Sequence, residues 1–456
     1  MSLLSAPARA GGKTAANELV SSAAAVGAPR RAACSQPATG WLDRLARRAI
    51  CAALARLEHG TVVLEEKGGV ERFGRAAGTG AQIATLRVHA PAFYRKVALG
   101  GALGAGEAYI EGLWSADDLT TLIRILAANE TAFAGLSGPM TWLAAAAARF
   151  AHALRRNSRT GSRANIAAHY DLSNAFYALW LDETMTYSSA VFESPAMSLA
   201  DAQRAKLERV CRKLGLRAGQ RVVEIGSGWG SFALHAAGLY GCHVTTTTIS
   251  RQQYVLARER IATAGLGDRI DLLELDYRDL RGQFDRLASI EMIEAVGWQY
   301  YDAYFARIAG LLRPDGAACI QAITMPDRYY ERAKREVDFI KRFVFPGSCI
   351  PSLGAIAASV ARATDLTIHG VEDLTPHYAL TLRRWRENFM AALPQVRRLG
   401  FDDAFVRRWE YYLSYCEAGF AERTIGLHQI VLVKPAWRSG VPAEANAAGG
   451  PACLSC

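Results

Sequence analysis

Residues 221–234 read Arg221-Val222-Val223-Glu224-Ile225-Gly226-Ser227-Gly228-Trp229-Gly230-Ser231-Phe232-Ala233-Leu234. The β-branched run Val222 to Ile225 predicts a buried strand. Three glycines follow in alternate positions, and then Phe232, Ala233, Leu234 and Ala236 begin a helical pattern. Glycine permits a tight turn and close backbone approach to a ligand, and a helix N-terminus offers unpaired N–H groups. A strand, a glycine loop and a helix in this order imply an α/β sheet whose loop receives something polar or negatively charged.

The pattern repeats outward from this loop. Helix is expected near Ala200 to Leu214, Arg251 to Ala264 and Tyr301 to Leu312, and strand at His243 to Ile249, Ile270 to Leu275, Phe284 to Ile290 and Ala317 to Ile323. Such alternation predicts a doubly wound, mostly parallel sheet with helices on both faces and ligands at the carboxyl ends of the strands. Upstream, Trp41 to Leu57 has helical spacing, and short strand-like runs follow at Thr61 to Leu64 and Ala84 to Val88, a smaller mixed α/β unit. The polar, basic stretch Arg155 to Arg163 reads as a linker. The expected organisation is a disordered tail over 1–40, an amino-terminal α/β domain over 41–155, a linker over 156–164, a catalytic domain over 165–436 and a flexible tail over 437–456.

Composition narrows the class. The 456 residues are 51% apolar and 21% charged, as in an ordinary globular protein, and 53 Lys and Arg against 43 Asp and Glu leave +10. Basic clusters such as Lys334, Arg335, Lys341 and Arg342, or Arg383, Arg384 and Arg386, suit a polyanionic surface, and an anionic bilayer fits better than nucleic acid. No motif of base methylation, such as Asn-Pro-Pro-Tyr, follows the fourth strand. The nine cysteines are odd in number and mostly lie within apolar runs, which suits free thiols and a cytoplasmic setting, and the pair Cys453 and Cys456, two residues apart, has no second pair or nearby His to complete a metal site. No run reaches the roughly 18 apolar residues that a spanning helix needs.

The glycine spacing E-x-G-x-G-x-G differs from the dinucleotide pattern and matches class I methyltransferases. With that loop placed, His169-Tyr170-Asp171-Leu172-Ser173, Phe176-Tyr177, Leu181-Asp182 and Met185-Thr186-Tyr187-Ser188 resemble the cyclopropane fatty acid and mycolic acid synthase family, from about Asn165 to Lys434. Gly106-Glu107-Ala108-Tyr109 with Gly112 and Trp114 looks like the amino-terminal domain of its bacterial phospholipid members. The resemblance implies a class I methyltransferase fold with helical lid insertions. It also implies S-adenosylmethionine as cosubstrate, bound by Tyr187, Ser188, Glu224, Gly226, Gly228, Thr248, Ile249, Gln253, Asp276 and Tyr277. Within that set Glu224 would orient the loop and Asp276 would take the adenine amine.

The family's reaction adds the sulfonium methyl to a cis double bond of an acyl chain, and the resulting carbocation loses a proton to an enclosed bicarbonate. By resemblance the anion would be held by Glu294, by Tyr378 and by the amides of Ser189 and Ile323, with Gln321 standing where well-known members carry a His. Glutamine can donate to an anion but cannot become cationic. The implied function is therefore cyclopropane formation on unsaturated phospholipid chains, by a peripheral protein on the inner face of the membrane. A same-fold enzyme giving methylene- or methyl-branched lipids, with a separate reductase completing the methyl branch, is the alternative. Methylation of an amine or phenol, and a non-catalytic lipid-binding homologue, are more distant; a homodimer is compatible with all of them. Tyr187, Phe192, Trp298, Tyr301 and Trp385 are candidate aromatic walls for a cation. The basic and aromatic segment Tyr329 to Phe345 is either a membrane-facing insertion or a lid packed on its own domain.

Overall fold

A computed structural model describes residues 40–74, 82–133 and 172–438. The linker at 156–164, the motif beginning at His169 and most of both terminal tails lie outside the described residues. In the amino-terminal part, helix α1 (Trp41–Leu54) precedes strands β1 (Thr61–Glu66), β2 (Gly69–Gly74) and β3 (Ile83–Val88). Helix α2 (Ala92–Ile110), strand β4 (Trp114–Ala116) and helix α3 (Leu119–Ala128) follow. The sheet order is β2-β1-β3-β4, with β1 and β3 parallel. Strand β2 (Gly-Val-Glu-Arg-Phe-Gly) escapes sequence reading because it is largely exposed and has no apolar alternation.

The larger sheet has seven strands. Its elements in chain order are α4 (Leu199–Leu214), β5 (Arg221–Ile225), α5 (Ser231–Tyr240), β6 (His243–Thr248), α6 (Arg251–Thr263), β7 (Ile270–Glu274), β8 (Phe284–Ile290), α7 (Tyr301–Leu311) and β9 (Leu312–Thr324). They continue with α8 (Leu353–Ala363), β10 (Thr367–Asp373), α9 (Thr375–Ala391), α10 (Asp403–Ala421) and β11 (Gly426–Val433). Alternate residues of β5 feed opposite cores, as the pleat requires. Val222 joins Leu207, Val210, Phe232 and Ala236, while Val223 and Ile225 join Tyr304, Phe305, Ile308, Ile356 and Val360. This double burial is why the strand reads as a continuous apolar run.

The strand order is β10-β11-β9-β8-β5-β6-β7. From β5 the chain builds outward through β6 and β7, then returns to place β8 on the other side of β5. The switch point therefore lies between β5 and β8, and the crevice at their carboxyl ends is where ligands of such sheets bind. The expected parallel core is present, but β11 pairs antiparallel with both β9 and β10.

The amino-terminal part shares its core with the last long helix. Tyr109 donates to Glu410 at 2.9 Å, and Arg407 Nε donates to the carbonyl of Ile110 at 2.8 Å. At Gly106 a Cβ would come within 2.4 Å of the Phe339 ring and 3.1 Å of Tyr411, so α2 needs glycine there to approach. Phe339 belongs to the segment 329–345, which packs inward on Tyr411 and Tyr415. The bases of that segment pair locally: Arg332 with Glu336, Lys334 and Arg335 with Glu331, and Lys341 with two carbonyls. At the other end, Trp437 packs on His369 with ring centroids 4.6 Å apart, so the ordered chain extends past residue 436.

Candidate active site at the switch point

The loop after β5 has the conformation that its glycines predict. Gly226, Gly228 and Gly230 all have positive φ, at 93°, 50° and 89°. The amides of Gly226 and Ser227 both donate to the Thr247 carbonyl, which ties the loop to β6. Nothing lies within 4 Å of a Cβ built at Gly228, so the mouth of the loop is open. Glu224 is buried beneath it and accepts from Thr246 Oγ1 at 2.5 Å. Burial pushes its carboxyl up to about 7, against the pull of Thr246 and Lys206. Glu224 is thus tied to β6, the strand whose Thr247 carbonyl holds the loop amides.

At the end of β6, Thr248 Oγ1 donates to Gln253 Oε1 at 2.9 Å, which joins two expected cofactor residues, and Ile249 beside them is half-buried. Ser188 is buried, and its carbonyl accepts from Gln203 at 2.8 Å. Tyr277 packs edge-on against Tyr304. Asp276 differs from its expected role, because its two oxygens are held by Arg278 at 2.8 and 2.6 Å. An adenine amine there would share the carboxylate with that ion pair.

The acidic part of the site departs further from expectation. Glu291, one residue past β8, gathers the donors assigned to a bound anion. Its Oε1 accepts from the Ser189 amide at 2.9 Å and from Gln321 Nε2 at 2.8 Å, and its Oε2 accepts from the Tyr378 hydroxyl at 2.6 Å. The Ile323 amide donates to Glu294 at 2.5 Å. The donors expected to hold bicarbonate are therefore engaged by two carboxylates of the chain, and an added bicarbonate does not fit this arrangement. Glu294 is inside the site as expected, but Tyr378, Gln321 and Ser189 are partners of Glu291. The signal for Glu291 was in the sequence Ser289-Ile290-Glu291-Met292-Ile293-Glu294, as a second acid at the carboxyl end of a buried strand.

The orientation of Gln321 is fixed from behind. Lys213 Nζ, which can only donate, contacts Gln429 Oε1 at 2.7 Å. Gln429 Nε2 then donates to Gln321 Oε1 at 2.9 Å, which leaves Gln321 Nε2 facing Glu291. Three side chains thus settle an amide that would otherwise be free to flip.

Lys206, fully buried, is a residue that sequence reading missed. Its Nζ donates to Ser188 Oγ at 2.7 Å, and burial lowers its ammonium to about 8 although Glu291, Asp182 and Glu224 favour the charge. Burial also raises the Glu291 carboxyl, opposed by Tyr378, Gln321, the Ser189 amide and Lys206. Glu294 is pushed up to about 8 by burial and by the neighbouring charge of Glu291. As whole residues both acids are partly buried, yet Oε2 of Glu294 is closed off from solvent and has no hydrogen-bond partner among the described residues. Between them Met292 packs at Gly226, its Cγ 3.2 Å from where a Cβ would sit. The turn that carries both acids thereby touches the glycine loop through Met292 across the switch point.

Aromatic rings line this corner. Tyr378 stacks on Phe420 at 4.3 Å and meets Trp385 edge-on; Trp385, Tyr187 and Trp180 then contact one another at 5.3 to 5.6 Å. The Tyr187 and Tyr412 hydroxyls are hydrogen-bonded at 2.8 Å. Of the rings expected here, Tyr187 and Trp385 are brought to the acids, and Trp180 joins them unannounced. Trp298 is exposed beside Lys334, Tyr301 donates to the Cys349 carbonyl, and Phe192 sits in a separate small cluster with Ala190 and Ala202.

A family profile described as mycolic acid cyclopropane synthetase matches residues 157–430. The chain is 41% identical to the tuberculostearic acid methyltransferase UfaA1 of Mycobacterium tuberculosis, over 77% of this chain and 83% of the relative. It is 41% identical to a probable fatty acid methyltransferase of Pseudomonas putida, over 61% and 71%. The cyclopropane-fatty-acyl-phospholipid synthase of Escherichia coli is 35% identical over 77% and 88%. Among solved structures, the cyclopropane synthase MmaA2 from Mycobacterium tuberculosis superposes with a TM-score of 0.56 at 29% identity, covering 60% of this chain and 98% of that one. The mycolic acid cyclopropane synthase CmaA1 complexed with SAH and CTAB gives 0.56 at 31% identity, with the same coverage. The glycine loop, the switch-point acids and these likenesses converge, and the chain belongs to the mycolic acid cyclopropane synthetase family of S-adenosylmethionine-dependent methyltransferases.

Proposed function

We propose that this chain transfers the sulfonium methyl of S-adenosylmethionine to the cis double bond of unsaturated phospholipid acyl chains. The observation that carries this reading is a pair of enclosed carboxylates beside an aromatic wall, on a turn that packs on the cofactor loop through Met292. An alkene is a weak nucleophile, so its methylation needs a fixed approach to the sulfonium and a dry pocket in which a carbocation survives. Rings such as Tyr187, Trp385 and Trp180 each contribute about 0.5 to 2 kcal/mol to a cation they face. Methylation of an amine or phenol also sheds a proton but passes through no carbocation, so it has no use for the aromatic wall beside the acids.

The open-chain product, a methylene branch that a reductase converts to a methyl branch, is the first reading, supported by the two fatty-acid methyltransferases 41% identical to the chain. Ring closure from the same cation is the second, supported by the likeness to the Escherichia coli synthase. Access from an anionic bilayer is supported by helix α1, where Trp41, Leu42 and Leu45 are exposed beside Arg44 and Arg48. The test is mass spectrometry of membrane fatty acids from a host expressing the chain with methyl-labelled methionine. A labelled gain of one methylene on monounsaturated chains supports the assignment, and fragmentation tells a ring from a branched alkene. Unchanged acyl chains with a folded, cofactor-binding protein would remove the lipid assignment.

A further inference from the structure

We propose that Glu291 is the proton acceptor of the reaction, so that the carboxylate which collects the proton from the carbocation is built into the chain and no bicarbonate is required. The inference rests on the alkene-methylation reading above. Three independent features carry it. First, the carboxylate of Glu291 accepts from three donors, the Ser189 amide, the Gln321 amide and the Tyr378 hydroxyl, all within 2.9 Å, which leaves one lone pair of Oε2 for a proton. Such charge-assisted bonds favour the anion, the form that can accept a proton.

Second, the backbone of Glu291 has φ of 49°, the left-handed region that disfavours a residue with a Cβ, and its amide is tied to the Gln321 carbonyl at 2.7 Å. A glutamate held there costs about 1 kcal/mol relative to glycine, and such strain persists where the side chain is needed. Third, the neighbouring Glu294 takes backbone amide donors only and has a closed-off Oε2. Of the two acids Glu294 is the better holder of a proton at neutral pH, which leaves the negative charge on Glu291.

The bookkeeping of the step is simple. The alkene π pair forms a bond to the sulfonium methyl, and the C–S bond breaks with its electrons going to sulfur. The neighbouring carbon is left electron-deficient. For the methylene branch the hydrogen on the methylated carbon first migrates with its electron pair to the electron-deficient carbon, so the charge moves beside the new methyl. A methyl C–H bond then breaks, its pair forms the methylene C=C (or, without the shift, the ring C–C bond), and the proton goes to a carboxylate oxygen of Glu291. The neutral acid returns its proton to water as product leaves.

The experiment uses the full chain with S-adenosylmethionine and vesicles of unsaturated phosphatidylglycerol, in buffers freed of carbon dioxide or supplemented with bicarbonate. The wild type is expected to turn over equally in both. Glu291→Gln is expected to lose about 10²- to 10⁴-fold in turnover while binding S-adenosylmethionine normally. Glu291→Gly relieves the backbone and leaves an anion-sized gap among the same donors. Its turnover is expected to be similarly low without bicarbonate and to recover at least tenfold with it. A wild type that stops when bicarbonate is removed overturns the inference, as does near-normal turnover of Glu291→Gly without bicarbonate. A wild type that binds cofactor yet modifies no acyl chain under either condition refutes the underlying reaction instead.

Discussion

Replacing Tyr378 by Phe isolates one hydrogen bond of the acid site. The ring is buried, stacked on Phe420 and edge-on to Trp385, so Phe keeps the packing and removes only the hydroxyl that donates to Glu291 at 2.6 Å. A hydrogen bond to a charged group contributes about 1.5 to 3 kcal/mol. Its loss therefore raises the Glu291 carboxyl further above its ordinary value. The sign follows directly: the hydroxyl favours the anion, so without it the carboxylate is protonated at a higher pH. In turnover against pH, the acid limb of Tyr378→Phe should move upward, with the alkaline plateau within a few fold of wild type and cofactor affinity unchanged. Turnover of the variant depressed equally at every pH, with no movement of the limb, would refute the assignment of Tyr378 to the charge of Glu291.

Other expectations are as direct. Lys206→Met removes the buried cation that favours Glu291 and Glu224 as anions, so the acid limb should again shift upward in a pH–rate profile. Burial raises the Glu294 carboxyl to about 8 in the folded state, so the folded chain binds a proton there that the unfolded chain releases above about pH 4.5. Melting temperature should therefore fall as pH rises from 5 to 8, and less steeply in Glu294→Gln, as calorimetry would show. Gly106→Ala pushes a methyl into Phe339 and should cost about 1 to 3 kcal/mol in denaturant unfolding. Trp41→Ala with Leu45→Ala should weaken co-sedimentation with anionic vesicles while leaving S-adenosylmethionine affinity unchanged in a binding titration.

The central strands and the glycine loop were legible because double-sided burial writes continuous apolar runs and because positive φ demands glycine. Strands β5 and β8 occupy the residues that the sequence predicts. Edge elements were less legible: β10 alternates in burial and β2 is mostly exposed, so neither carries a strong apolar pattern. In the site, Glu224 and Thr248 followed from the family resemblance, and both lie on the strands beside the loop, at the end of β5 and of β6. The donors of the acid site were found, but their acceptor was misplaced. Glu291 and Glu294 are three residues apart, and only the turn after β8, with its left-handed Glu291, decides which carboxylate faces Tyr378. Lys206 was invisible because a lysine on an amphipathic helix reads as solvated until its neighbours close over it.

Strand β11 is the last element of the sheet, yet it sits inside it, between β9 and β10, and supplies the Gln429 that points Gln321 at the acids. During synthesis the glycine loop emerges about two hundred residues before that strand, and domains assemble as their segments leave the ribosome. A nascent chain can thus form the cofactor half of its site well before the acid half is oriented. Any product truncated before Gly426 lacks Gln429, so the glycine loop and an oriented Gln321 are joined only in chains that include β11.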